Sequence, residues 1–314
     1  MKRRLASAVG LLIGGAGVAF IARTLWRDRA AVGDAIAALD LRLALVALLL
    51  GVTAMVQIGL AWRRALAIVG ERRPVVDTLY RYYVGQLGKY VPGGIWPVVG
   101  RAEMARRGGV GAGAAYSSTV LSLATTYLAA MAVAVATLPF GLDGQRAQRW
   151  VLLLLPFGVL ALHPRVIDLA VSWTERLTGR RPAVTIPSWG TSVRLLARHV
   201  PAWIAIGLAT WTVAAALGDA GTLGNVLFAT TLSWVVGFLI IPVPGGVGVR
   251  EAVFVAAATS LPSGLAAATA VTARLVFIAV DVSGAAVTAA LVRRRTRASG
   301  SGTAPRAGSP DARR

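Results

Sequence analysis

Long apolar runs without charge alternate along most of the chain with short segments that carry arginine. The clear runs lie at about 5–22, 41–61, 111–137, 150–164, 201–217 and 264–291. A helix rises about 1.5 Å per residue, so about 20 apolar residues cross the roughly 30 Å of bilayer hydrocarbon. The runs therefore predict about six full membrane spans. The run at 150–164 is short and is expected to continue past Pro164. Trp26, Trp62, Trp150 and Trp203 stand near run ends, where an amphipathic indole prefers the membrane–water interface.

Two stretches do not read as single spans. The first, about 75–107, is centred on Gly88-Lys89-Tyr90-Val91-Pro92-Gly93-Gly94. The second, about 225–260, is centred on Ile241-Pro242-Val243-Pro244-Gly245-Gly246. Proline removes a backbone donor and paired glycines free the chain to turn sharply. Each stretch thus predicts two helical arms about a break, with Pro92, Gly93 and Gly94 in one and Pro244, Gly245 and Gly246 in the other. A break inside a membrane survives only where protein or a wet cavity satisfies its backbone.

Charge orients these elements. Arg63, Arg64, Arg72 and Arg73 precede the first broken stretch, and Arg101, Arg106 and Arg107 lie in its second half. Both its ends are basic, so it is expected to enter and leave on the cytoplasmic side. The second broken stretch follows a loop with Asp219 and no Lys or Arg, and a last span leads from it to Arg293-Arg294-Arg295. It is expected to enter from outside. Of 33 Lys and Arg, six fall in outside loops: Arg23, Arg27, Arg29, Arg42, Arg146 and Arg149. The balance puts both termini in the cytoplasm. The fold class expected is an all-α polytopic membrane protein with about six spans and two re-entrant segments in an inverted-repeat-like arrangement, a design that places substrates near the midplane.

Composition agrees. The chain of 314 residues is 56% hydrophobic and 15% charged; soluble domains are about 25% charged. The net charge of +20 would point to nucleic acid in a soluble protein. Here the basic residues flank apolar runs, so they read as topology signals and contacts to anionic headgroups. No nucleic-acid motif is present. The absence of cysteine excludes disulfides and thiolate chemistry. The two histidines, His163 and His199, fall at expected membrane edges, so neither a metal site nor a cofactor is expected. Lys2-Arg3-Arg4 and the run after it read as a retained first span rather than a signal peptide. Residues 165–200 read as a cytoplasmic connection with a helix lying at the interface. Residues 1–292 form the expected membrane domain, and 293–314, rich in Arg, Gly, Ser and Pro, the expected disordered tail.

Charges inside a membrane are functional by default. Lys89 is one of two lysines, the other being Lys2. Its rotatable ammonium suits one phosphate or carboxylate oxygen; the plainer role is to snorkel or to cap carbonyls at the break. Arg81 lies two helical turns before it, on the same side of that arm. Arg101 fits a bidentate phosphate contact or an ordinary positive-inside residue, with Glu103 beside it. Arg250 and Glu251 are adjacent and point about 100° apart, so one is expected to face a cavity while the other fixes the loop. Arg274 and Asp281 share a face of the last span, about 10 Å apart in rise. Each needs a partner elsewhere: Glu251 for Arg274, and Lys89 or Arg101 for Asp281. Tyr80, Tyr82, Tyr83 and Tyr90 cluster as an interfacial belt or as headgroup contacts.

Gly85-Gln86-Leu87-Gly88-Lys89-Tyr90-Val91-Pro92-Gly93-Gly94 followed by Arg101, and Pro244-Gly245-Gly246-Val247-Gly248-Val249-Arg250-Glu251, resemble the two signatures of the lysylphosphatidylglycerol synthase transmembrane region family. The resemblance covers nearly all of residues 1–292. It implies a flippase-like lipid module, here expected as a stand-alone short member without the soluble aminoacyl-transferase domain of longer relatives. The expected function is transport of an anionic lipid, either a phospholipid or a polyprenyl phosphate. Lys89, Arg101, Arg250, Glu251, Arg274, Asp281, Arg81 and Glu103 are the candidate substrate-binding residues. The alternatives are a membrane enzyme with Glu103, Glu251 or Asp281 as acid or base, and a scaffold for a separately encoded lipid-modifying enzyme. Few acids and no core histidine argue against the enzyme. The membrane and an anionic lipid are the expected partners, with a homo-oligomer left open. The expected location is the cell membrane.

Overall fold

Without water to bond to, a backbone in lipid must close its hydrogen bonds within its own segment, and helices do this. Every regular element among the described residues is helical. The computed structural model describes residues 39–90, 96–140, 159–178, 185–239 and 246–300, together with Arg23, Trp26, Arg29, Gly33, Ala37 and Pro156. The expected span at 5–22, most of that at 150–164, the residues Pro92, Gly93, Gly94, Pro244 and Gly245, and the tail from 301 lie outside them.

The helices are α1 (Leu41–Ile68), α2 (Val75–Gln86), α3 (Trp96–Arg107), α4 (Ala112–Thr137), α5 (Pro164–Thr178), α6 (Trp189–Ala216), α7 (Leu223–Leu239), α8 (Val249–Ala257) and α9 (Ser263–Gly300). Four of these, α1, α4, α6 and α9, are long and apolar enough to cross a membrane. α1 starts at Asp40, whose carboxylate accepts from the amides of Arg42 and Leu43. The Asp40 amide donates to the Ala216 carbonyl at 2.9 Å. That bond fixes the start of α1 beside the end of α6, so the two are antiparallel. Ala54, Ala61 and Ala65 of α1 and Ala202, Ala205 and Ala209 of α6 share one core. Small side chains let membrane helices approach closely, which matters where lipid removes the hydrophobic drive between them.

α6 corrects the expected boundary at 201. It begins at Trp189 and runs straight through Pro201. Ser192, Leu195, Leu196 and His199 are all buried, so this polar-looking stretch has a protein-facing side. His199 is therefore an interior residue, with Nδ1 2.9 Å from the Leu195 carbonyl. Trp62 and Trp203, expected at the interface, are also core residues, 0% and 1% exposed. Trp203 donates through Nε1 to the Thr126 carbonyl at 2.6 Å. α9 continues as helix past position 292 to Gly300.

The two broken stretches fold as hairpins. Arms α2 and α3 have 12 residues each, and α7 and α8 have 17 and 9. At about 1.5 Å per residue none reaches the roughly 30 Å of a hydrocarbon core. The base of the first hairpin lies at the end of α1. Arg63 donates to the Arg73 carbonyl at 2.7 Å, and Arg73 donates to the Gly108 carbonyl at 2.8 Å. The base of the second is closed by Asn225, which donates to the Ala257 carbonyl at 3.0 Å and accepts from the Ser260 amide at 3.1 Å. This base lies with the end of α6, since Trp211 donates to the Gly221 carbonyl. α4 links the two ends. It starts just after Gly108, and Phe140 beyond its far end packs on Gly224. The hairpins therefore enter the bundle from opposite ends, as an inverted-repeat arrangement requires.

Candidate functional site

The hairpins are short of spanning, so their tips end inside the bundle. Lys89 sits in the 3₁₀ turn Leu87–Tyr90 that closes α2. Its ammonium lies 2.5 Å from Asp281 Oδ2 in α9, with side chains 13% and 0% exposed. It also lies 5.6 Å from the centre of the Trp234 ring in α7. Arg250, at the start of α8, places its guanidinium 3.6 Å from the centre of the same ring. The two hairpin tips thus meet at Trp234, each presenting a cation to it. Such contacts contribute about 2 kcal/mol where the cation is desolvated.

Local sequence explains how Arg250 reaches the ring. A Cβ on Gly237 would stand 2.2 Å from Arg250 Cγ, and one on Gly246 would stand 2.9 Å from it. Both glycines leave the channel through which the arginine stem passes. Gly246 also has a φ of +65°, which favours glycine.

Glu251 fixes the loop. Its Oε2 accepts from the Gly248 amide at 2.7 Å, which caps α8. Its Oε1 accepts from Arg274 of α9. Arg250 and Glu251 do not divide the work cleanly, since both line the cavity between the hairpins; Arg274 pairs with Glu251 and Lys89 with Asp281. A cavity of about 30 Å³ lies among Thr230, Ser233, Trp234, Arg250, Glu251 and Arg274. That is room for a water or two. Thr230 Oγ1 is buried without a hydrogen-bond partner among the described residues.

Other candidates lie elsewhere. Arg101 is 2% exposed, so it is not an exposed flanking charge. Its Nη2 donates to Gln86 Oε1 at 2.9 Å, and its guanidinium stacks 4.7 Å from the Tyr82 ring centre and 5.6 Å from that of Trp62. Arg81 parts from Lys89. It pairs with Asp77 at 2.9 Å and donates to the Met104 carbonyl, tying α2 to α3. Glu103 is half-exposed and pairs with Arg106 and Arg107 at 3.0 and 3.4 Å. Tyr82 and Tyr83 form no interfacial belt, being 0% and 2% exposed. The arm's inner face is packed against α1 and α9, which leaves them no route to the headgroup layer.

The aromatic wall beside the site escaped sequence reasoning. Tyr127 stacks on Phe238 at 3.8 Å, and Trp203, Trp234 and Phe277 follow in edge contacts of 5.5 and 5.4 Å. One signal was available: Trp234 lies mid-arm, far from any run end.

The half-helices add to the field. α3 and α8 begin at the tips, so both direct a positive N-terminal dipole end toward the bundle centre. Lys89, Arg250 and Arg274 carry three positive charges against the two negative charges of Glu251 and Asp281. The junction therefore carries an excess of one positive charge.

The family described as the lysylphosphatidylglycerol synthase TM region matches residues 7–287, and the chain belongs to it. No curated protein matches the chain.

Proposed function

We propose that this member of the lysylphosphatidylglycerol synthase TM region family carries an anionic lipid between leaflets, passing its headgroup through the junction of the two hairpins. The family is a lipid-related membrane module. The observation that carries the reading is the meeting of opposed hairpin tips at Lys89, Trp234 and Arg250. Each hairpin opens to its own end of the bundle, so parting either one exposes the same cations to one side. This is alternating access around a fixed site.

The present arrangement is closed, since about 30 Å³ admits water but no phosphodiester. A phosphate enters by replacing the Asp281 carboxylate at Lys89 and by drawing Arg250 off the Trp234 ring. The hydrocarbon tails stay in lipid. Glu251 stays committed to Arg274 and the α8 cap throughout this step, which supports carriage over acid–base chemistry at that carboxylate. The end bearing Arg63, Arg64, Arg72, Arg73, Arg106 and Arg107 faces the cytoplasm by the positive-inside rule, with both termini on that side of the cell membrane.

The test is headgroup accessibility in proteoliposomes holding labelled anionic phospholipid. Wild type exchanges the label between leaflets, while Lys89→Ala and Arg250→Ala, folded and incorporated equally, do not. Wild type no faster than protein-free liposomes would sink the reading for phospholipids.

A further inference from the structure

The first hairpin is not closed along its whole length. Its arms touch where Gly85 meets the Arg101 backbone, with only 2.8 Å left for a Cβ. Beside that contact lies a crevice of about 400 Å³, lined chiefly by Val84, Gly88, Gly100 and Met104, with Glu103 and Arg107 at one end. Small-molecule sites commonly measure about 300–1,000 Å³. The crevice is more than ten times larger than the cavity at the hairpin junction.

Its course follows from positions along the arms. Arg107 ends α3 at the arginine-rich base. Gly88 lies next to Lys89 near the tip. The crevice thus runs from the basic end of the bundle to the immediate neighbour of the buried lysine. Its chemistry is two-sided. The lining is apolar. Glu103 and Arg107 line the outer end, and Glu103 also pairs with Arg106 just beyond the lining, so the cluster carries one surplus positive charge, with Arg107 73% exposed. A soluble anion has no use for the apolar lining, and a plain hydrocarbon has none for the surplus charge. A phosphate bearing a hydrocarbon chain uses both.

We propose that this crevice is a second lipid site, taking one acyl chain of an anionic phospholipid along Val84, Gly88, Gly100 and Met104 with its phosphate at Arg107. The site collects lipid from the leaflet at the basic end and holds it against the first hairpin, one residue along the chain from Lys89. Its purpose rests on the transport reading above; its occupancy does not.

The chain has no cysteine, so Met104→Cys gives a single thiol for a bimane label. Labelled protein goes into phosphatidylcholine nanodiscs doped with phosphatidylglycerol or phosphatidylcholine brominated along the chains. Brominated phosphatidylglycerol quenches the label at a several-fold lower mole fraction than brominated phosphatidylcholine. At Leu49→Cys, on an exposed face of α1, the two lipids quench alike. Arg107→Gln in the Met104→Cys background removes the preference. Gly100→Leu lowers quenching by both lipids. A Cβ at Gly100 meets nothing nearer than the Gly85 carbonyl at 3.5 Å, and an unchanged thermal midpoint confirms that the variant is folded. Equal quenching by both lipids at Met104→Cys overturns the site. Relief of quenching by polyprenyl phosphate at lower concentration than by unbrominated phosphatidylglycerol overturns the phospholipid assignment. A protein that shows the preference yet exchanges no lipid keeps the site and loses the transport reading; exchange without the preference does the reverse.

Discussion

Lys89 and Asp281 touch at 2.5 Å across the boundary between the first hairpin and α9, and Asp281 has no exposed side-chain surface. Removing one partner of a buried pair typically costs about 3–5 kcal/mol, because the other charge is left behind. Lys89→Met and Asp281→Leu are each expected to destabilise by that order. The double variant recovers most of the loss, since replacing both charges is often near neutral. Thermal unfolding in detergent, followed by size-exclusion fluorescence, checks this. Two additive losses would show that the pair is not an energetic unit.

Glu251 performs two tasks that substitution can separate. Glu251→Gln keeps an oxygen for the Gly248 amide but loses the charge opposite Arg274. Glu251→Ala loses both. A lost cap costs about 1 kcal/mol, so stability should fall in the order wild type, Gln, Ala, with the last step near that size. Equal stability of Gln and Ala removes the capping role.

Gly237 is a steric test of the Trp234 contact. A Cβ there stands 2.2 Å from Arg250 Cγ, so Gly237→Ala pushes Arg250 off the ring. Lipid exchange should drop at least tenfold. Gly190→Ala, whose Cβ meets nothing within 4 Å, is the matched control and keeps full exchange. Unchanged exchange in Gly237→Ala would mean that the stacked arginine is dispensable.

Asn225 holds the second hairpin's base through Ala257, Thr259 and Ser260. Asn225→Ala leaves the buried Ala257 carbonyl without this donor, at about 1–3 kcal/mol, and frees the part-buried Ser260 amide. Hydrogen exchange at residues 257–260 should accelerate more than tenfold, while residues 105–110 at the other base keep their protection. Uniform acceleration at both bases would point instead to global loosening.

Orientation is checked with the cysteine-free background. Arg72 and Asp219 are exposed at opposite ends of the bundle. An impermeant maleimide should label Asp219→Cys on intact cells and Arg72→Cys only after lysis. The reverse pattern inverts the topology.

The two breaks and the two buried ion pairs were readable from sequence for one physical reason. A charge deep in an apolar run must have a partner, and few partners exist. Lys89, Glu251, Arg274 and Asp281 therefore constrained one another. Arg101 was not readable, because the same arginine serves a cytoplasmic loop or an aromatic sandwich, and only packing against Tyr82 and Trp62 decides. The run before Pro201 carried Arg194, Arg198 and His199 and so read as a connection. Its burial comes from α1 and α4, which hydropathy along one segment does not register. Trp62 and Trp203 misled similarly: an indole near a run end suits both an interface and a core, and their neighbours chose the core.

The two hairpins enter from opposite ends and differ in how they are latched. One base is held by arginines, through Arg63, Arg73 and the Arg73–Glu71 pair; the other is held by the neutral amide of Asn225 and hydroxyls. Mobile ions weaken charged contacts at partly exposed sites and leave neutral ones nearly untouched. On the transport reading proposed above, one leaf of the device would therefore feel salt and the other would not. Ionic strength on the arginine side alone would then set how often that leaf opens, and so bias the traffic.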